Sequence, residues 1–425
     1  MGMPCKRDTF VLITGFGREH RLALEENTTM NEKLLEGIRV LTIESYGAGP
    51  WATLQLADMG AEVIKIETPG EGDISRYVPP GAKNGDSLFF QSFNRGKKSI
   101  TLDLRRPEGR QAFIRLLPSM DVLFANPKGS MPEKMALTFE HLQQYNPKLV
   151  CCFLTGWGRT GPRCDHPGYD YLAQALTGMM WMGGEPDGPP ARCGVSVVDM
   201  AGGTNAAMLI LAGVHKAQRT GRGCSLDTSL FELALSYGNY LNSWHLTLGW
   251  EPKRLPLGAH QSIVPSQLFA TADGWLMVMA QQDKFYQSLV REMGLPELAK
   301  DRRFVTMADR FENREALINI LTEKFRHRTT EEWIALLEGN VPVAPVNTIP
   351  QALKDPQVEA LGMLLGYDHP SLGHVKQTGP PFLINRNRPE YAACSAMGAD
   401  TEQVLTEYAG FTPQEIAALR KAGAI

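Results

Sequence analysis

Residues 38–66 read IRVLTIESYGAGPWATLQLADMGAEVIKI, and the order of apolar, small and polar positions in them decides the fold. Ile38 to Ile43 is an apolar run of strand length, and Gly47-Ala48-Gly49-Pro50 breaks it. Trp51 to Met59 carries a helical pattern, Gly60 stands where a helix ends, and Ala61 to Ile66 is a second strand-like run. Strand, helix and strand in close succession make a βαβ unit with parallel strands. The expected class is therefore α/β, with a Rossmann-like parallel sheet. Outward from this unit the alternation continues: strands at Ser99 to Leu104, Asp121 to Phe124 and Leu149 to Thr155, with a helix from Glu108 to Leu117. Gly47-x-Gly49-x-x-Ala52 with Glu67 imitates a dinucleotide-binding fingerprint. Pro50 removes an N–H from the turn that would cradle a pyrophosphate, so an NAD-dependent oxidoreductase is only a distant alternative.

A chain of 425 residues is too long for one ordinary core and fits two domains. Residues 34–250 with 345–425 are expected to form the large domain, and 251–344 a smaller α+β one. A stretch rich in Gly and Pro, with Pro256, Gly258, Pro265 and Gly274, marks the boundary. Amphipathic helices follow at Asn313 to Phe325 and Thr330 to Leu337. Thr329-x-x-Glu332 and Thr412-x-x-Glu415 both read as capping boxes. Residues 1–29 show no clear periodicity, and residues 1–33 are expected to be a loosely ordered extension. Hydrophobic content of 43% with charged content of 21% fits a soluble globular protein, and a net charge of −3 gives no support for a nucleic-acid or membrane-surface partner. Seven cysteines without a framework or metal spacing point to reduced thiols and a cytoplasmic setting, with no metal site expected. No apolar stretch is read as reaching the roughly 18 residues of a membrane span.

Asp199 is the residue most suggestive of chemistry. It closes the apolar run Val195-Ser196-Val197-Val198, read as a strand or extended segment, and precedes Met200-Ala201-Gly202-Gly203-Thr204 and a long apolar segment. The pattern delivers a carboxylate to the start of a buried helix, with small residues that let a ligand or another backbone approach. An ordinary helix N-cap would give the same local pattern.

Several further stretches occur in a fixed order. They are Ala48-Gly49-Pro50, Gly60 to Glu67, Asn94-Arg95-Gly96-Lys97-Lys98-Ser99-Ile100 with Leu102-Asp103, Thr155-Gly156-Trp157-Gly158, Thr160-Gly161-Pro162, Gly168-Tyr169-Asp170, Thr220-Gly221-Arg222-Gly223 and Ser262-Ile263-Val264-Pro265. With Asp199 in its place among them, the chain resembles the family III (CaiB/BaiF) CoA-transferases from about residue 35 to the C-terminus, and most closely the branch acting on succinyl-CoA and dicarboxylates. The resemblance implies that Asp199 is the nucleophile of CoA transfer. A coenzyme A thioester would be the substrate, with no permanently bound cofactor. It implies contacts to CoA from Tyr46, Gly47 and Ala48 at the thiol arm, from Asn126, Met131, Lys134 and Met135 at the adenine and phosphate end, and from Leu102 and Arg105. Lys97 and Lys98 flank a turn, where a solvated position is expected. The resemblance further implies an interlocked homodimer.

Two departures from the formyl-CoA transferase pattern bear on function. Gly47 stands where that enzyme has Gln, and Gly258-Ala259-His260-Gln261-Ser262 replaces a glycine-rich loop. His260 and Gln261 would then lie in a mobile loop closing over Asp199, and Pro127 replaces an aromatic residue at the adenine position. A 2-methylacyl-CoA racemase of the same fold is the main alternative. That chemistry needs a second acid/base, a His in the related racemases, and Tyr169 occupies its position; an unperturbed phenol near pKa ~10 is a poor base at neutral pH. A non-catalytic CoA-binding subunit is disfavoured by the retained Asp199.

Overall fold

The structure, a computed structural model, describes residues 32–390 and 392–425; the expectation for residues 1–31 lies outside them. The opening unit forms as read: β1 is Arg39–Ile43, α1 is Ala48–Asp58 and β2 is Glu62–Glu67. Helix α1 begins three residues earlier than its pattern suggests. Gly47 is the N-cap and its carbonyl accepts from Trp51 N–H at 2.9 Å. Pro50 falls in the first turn, where an N–H has no intrahelical partner anyway, so the proline costs nothing there.

Four more strands, β3 (Lys98–Thr101), β4 (Val122–Ala125), β5 (Val150–Thr155) and β6 (Cys224–Ser229), complete a parallel sheet in the order β3-β2-β1-β4-β5-β6. The central strands are covered on both faces, which is why they read as continuous apolar runs. On one face Leu41, Leu123 and Phe153 pack with Phe113, Leu116 and the C-terminal Leu405, Ile416 and Leu419. On the other, Val40, Val63 and Phe124 pack with Ala52, Leu56, Ala206 and Ile210. The C-terminal segment also closes the sheet edge. Ser99 N–H donates to Asp400 Oδ2 at 2.7 Å and Thr101 N–H to Thr401 Oγ1 at 3.0 Å, so β3 leaves few orphaned edge groups.

A second core is drawn from Val264 to Val341 alone. It lies over the antiparallel strands β7 (Ser266–Ala270), β8 (Trp275–Met279) and β9 (Val343–Pro345). Helices Arg314–Phe325 and Thr330–Leu337 cover it, and both expected capping boxes are present. The antiparallel pair Leu364–His369 and Gly373–Thr378 was not legible in the sequence.

Two helices carry the acids of the site: α2, Asp170–Leu176, and α3, Val197–Thr220. Here the structure corrects two expectations. Val195 to Val198 is not a strand, because Val197 and Val198 are the first turn of α3. And α3, at 24 residues, is long and apolar enough to cross a membrane by length and composition. One face of it packs into the core of the sheet's second face, where Gly202, Ala206, Ile210 and Val214 are buried. A Cβ on Gly203 would come within 2.6 Å of the Ala48 carbonyl, so glycine sets how closely α3 approaches α1.

Candidate active site

The strand order reverses between β1 and β4, and there the loops leaving the two strands part. In open parallel sheets this switch point is where a ligand-sized crevice forms. A cavity of about 420 Å³ opens at it, lined by Ser45 to Ala48 after β1, Asn126 to Lys128 after β4, Thr155 and Gly156 after β5, and Gly168, Tyr169 and Asp199. Of the residues read from sequence, Tyr46, Gly47, Ala48, Asn126, Tyr169 and Asp199 all converge here.

Asp199 is the third residue of α3, whose N-cap is Ser196. The N-cap reading therefore fails, and the reason is a different acid. Asp170, buried at the start of α2, accepts from Val198 N–H at 2.6 Å and Asp199 N–H at 2.9 Å through Oδ2, while its Oδ1 accepts from Gln174 Nε2 at 2.6 Å. With the free N–H groups of α3 satisfied from outside, Asp199 is released to face the cavity. Burial, with the Asp170 carboxylate as a second cause, pushes Asp199 up to about 7. Gly47 faces it: a Cβ there would lie 3.0 Å from Asp199 Oδ2.

The opposite wall is held by a buried ionic network. Asn126 clasps the Ser45 backbone with both ends of its amide, accepting from Ser45 N–H at 2.9 Å and donating to Ser45 O at 3.0 Å. Gly49 leaves room for that amide, since a Cβ would meet it at 2.5 Å. Beneath lie Asp73, Lys65, Glu44 and Lys97, with Lys65 Nζ 2.8 Å from Asp73 and Lys97 Nζ 2.7 Å from Glu44. The expectation of a solvated turn is thus corrected for Lys97, whose side chain is fully buried. Burial pushes its ammonium down to about 8 against the pull of Glu44. Glu67, the acid of the dinucleotide-like pattern, is consumed by Arg76 through bonds of 2.8 and 2.7 Å.

The remaining sequence candidates lie elsewhere. Leu102 is a core residue whose N–H donates to Glu67 O. Arg105 is exposed and pairs with Asp103 at 2.8 Å. Met131 and Lys134 belong to the short helix Met131–Lys134, Lys134 lies 3.6 Å from Asp165, and Met135 packs against the first core. None of these five lines the cavity. His260 and Gln261 border a different pocket with Glu185 and Tyr240, and their loop is pinned rather than free. Arg314 Nη2 donates to the carbonyls of both at 2.9 and 3.0 Å, and Gln261 Nε2 donates to Lys253 O. His260 Nδ1 accepts from Ser262 N–H and Ile263 N–H, and burial beside Arg314 holds the ring below its ordinary pKa. Sequence reading missed Lys128, His166, Ile74 and Leu230 in the cavity wall, and Asp73 and Lys65 behind it. Only Lys65 left a signal, as a lysine inside a run otherwise buried on both faces.

A carboxylate of raised pKa facing a cavity at a strand switch point, opposite a glycine, stands beside what comparison with known proteins finds. The model of CoA-transferase family III matches residues 35–401. The succinyl-CoA:glutarate CoA-transferase of Homo sapiens is 33% identical over 417 residues, covering 97% of this chain and 94% of that protein. The succinyl-CoA:mesaconate CoA-transferase of Haloarcula hispanica is 35% identical, covering 84% of this chain and 91% of that one. The crystal structure of a CaiB/BaiF family protein from Brucella suis superimposes with a TM-score of 0.76 at 32% identity, covering 89% of this chain and all of that one. The chain belongs to CoA-transferase family III.

Proposed function

We propose that this enzyme moves CoA from succinyl-CoA to a dicarboxylic acid such as glutarate, with Asp199 as the covalent nucleophile. The observation that carries the reading is the Asp199 carboxylate, pushed up to about 7 and aimed past Gly47 into the switch-point cavity. The names of several similar proteins, which pair succinyl-CoA with glutarate, mesaconate or citramalate, support the substrate class.

In the first step an Asp199 oxygen attacks the thioester carbonyl carbon, the C–S bond breaks, and CoA leaves as thiolate, giving an acyl-aspartyl anhydride. The thiolate then attacks the Asp199 carbonyl carbon, expelling the donor acid as its carboxylate and leaving an aspartyl-CoA thioester. An acceptor carboxylate attacks that thioester and the thiolate returns to the acceptor's acyl carbon, which restores Asp199. No proton and no water enters the balance. A carboxylate of raised basicity is a stronger nucleophile than an ordinary one, and above pH ~7 it is mostly ionised. Each tetrahedral intermediate bears an oxyanion that needs N–H donors nearby, for which the Gly47 and Ala48 backbone at the start of α1 is the candidate.

The test is a panel of succinyl-, acetyl- and butyryl-CoA against mono- and dicarboxylates, read by mass spectrometry. Dicarboxylates should exceed butyrate by at least roughly tenfold in kcat/KM, since a site built to pair a second carboxylate leaves its own groups unpaired with an analogue lacking one. Because His166 shares the cavity, α-deuteration of 2-methylacyl-CoA in D₂O is measured in parallel. Rapid exchange with no transfer would favour the racemase. The homodimer is also proposed, supported by the helix Asn239–Leu248, which buries none of its residues although Leu246 and Leu248 are 83% and 75% exposed; light scattering of the purified protein measures it.

A further inference from the structure

The cavity wall facing Asp199 includes a residue in a backbone conformation that is costly for its side chain. Tyr46 has a φ of +74°, in the left-handed region that a bulky residue occupies only when its surroundings impose it. The imposing group is Asp73. Its Oδ1 accepts from Ser45 Oγ at 3.0 Å, from Tyr46 N–H at 3.2 Å and from Ser75 N–H at 2.9 Å. Its Oδ2 lies 2.8 Å from Lys65 Nζ, with both side chains fully buried. Lys65 Nζ also donates to Glu44 O at 2.9 Å, the carbonyl immediately before Ser45. One ion pair therefore grips residues 44 to 46 from below, and the next residue is Gly47, whose Cβ position lies 3.0 Å from Asp199 Oδ2. Neither Asp73 nor Lys65 lines the cavity.

We propose that Asp73, anchored by Lys65, is a positioning residue that fixes the Tyr46–Gly47 backbone against Asp199 and so presets the geometry in which the thioester is attacked. The proposal rests on Asp199 being the nucleophile. A purely structural ion pair would affect how much enzyme folds and leave the rate of each folded molecule unchanged. A positioning pair acts on the acylation step, where a misplacement of about 1 Å costs up to roughly 100-fold.

The experiment mixes full-length enzyme rapidly with succinyl-CoA in the absence of acceptor, and follows succinate release and the covalent adduct on Asp199 per folded active site. Asp73→Asn is expected to slow adduct formation by roughly 10- to 100-fold while the KM for succinyl-CoA moves by less than about threefold. Ser45→Ala, which removes a single bond to Asp73, should slow it by about threefold. Glycine adopts the conformation at position 46 without strain, so Tyr46→Gly combined with Asp73→Asn should be faster than the two single losses multiplied. Wild-type acylation rates in both Asp73→Asn and Ser45→Ala, or strict multiplicativity in the double variant, would overturn the proposal. Should Asp73→Asn not fold, Ser45→Ala alone and with Tyr46→Gly decides on the same criteria. Failure of the wild type itself to form an adduct would instead remove the nucleophile, and the proposal with it.

Discussion

Two groups of acids stand on either side of one cavity wall, one behind it and one at the cavity itself, and the protein treats them in opposite ways. Behind the Tyr46 loop, Glu44 sits against Lys97 and Lys65, Asp73 against Lys65, and Glu67 against Arg76. Burial alone would raise all three carboxyls, yet the neighbouring cations outweigh it and hold each below its ordinary range. At the start of α3 the same burial acts without a cation. Asp199 rises to about 7, and its charged neighbour is another acid, Asp170. The contrast separates two uses of a carboxylate. Where an acid holds a loop in place, its charge is matched; where it is proposed to react, its charge is left uncompensated and its basicity is raised.

The largest effect that would break this contrast is on the rate. Asp199→Ala should lower transfer by roughly 10⁴-fold or more in a protein that still folds, measured by steady-state kinetics with circular dichroism as control. Next comes stability at the matched end. Lys65→Met strands Asp73 as an uncompensated buried charge and should destabilise the protein by about 3–5 kcal/mol in denaturant unfolding. The unmatched end should behave in reverse. A carboxyl whose folded pKa is raised is bound to its proton more tightly when folded, so its destabilising effect is absent below pH ~4, grows as pH rises, and is complete above about 7. Asp199→Asn should then be more stable than wild type at pH 8, by about 2 kcal/mol after allowance for a side chain that is only partly buried, and equal to it below pH ~4. The smallest effect concerns the gap between the two ends. Gly47→Ala puts a methyl 3.0 Å from Asp199 Oδ2, and should lower kcat by about tenfold with little change in melting temperature.

The fold was largely legible because parallel strands buried on both faces announce themselves as apolar runs, and because Gly60 and the two capping boxes mark helix ends by chemistry that depends on few residues. The hairpin Leu364–His369 with Gly373–Thr378 was not legible, since its strands alternate between exposed and partly buried positions without a strong apolar face. At the site, Tyr46, Gly47 and Asp199 came from the motif order, but what joins them did not. Asp73 and Lys65 stand eight residues apart in sequence and meet only after β2 turns back beneath the β1 loop. Asp170 was visible in Gly168-Tyr169-Asp170, yet its action on α3 spans 29 residues and depends on where α2 starts. The His260 loop shows the reach of such contacts too: its residue types suggested a closing lid, and Arg314, more than 50 residues away, bonds to its carbonyls.

The central claim is that Asp199, and no other acid at this cavity, becomes covalently acylated. The direct measurement is to incubate the enzyme with succinyl-CoA, quench with hydroxylamine, digest, and read the peptide containing Asp199 by mass spectrometry. The account predicts a hydroxamate on Asp199 that depends on succinyl-CoA, is absent from Asp199→Asn, and forms faster as pH rises through about 7. Its appearance on Asp170 or Asp73 instead, or transfer at the wild-type rate with no modified acid at all, would contradict it.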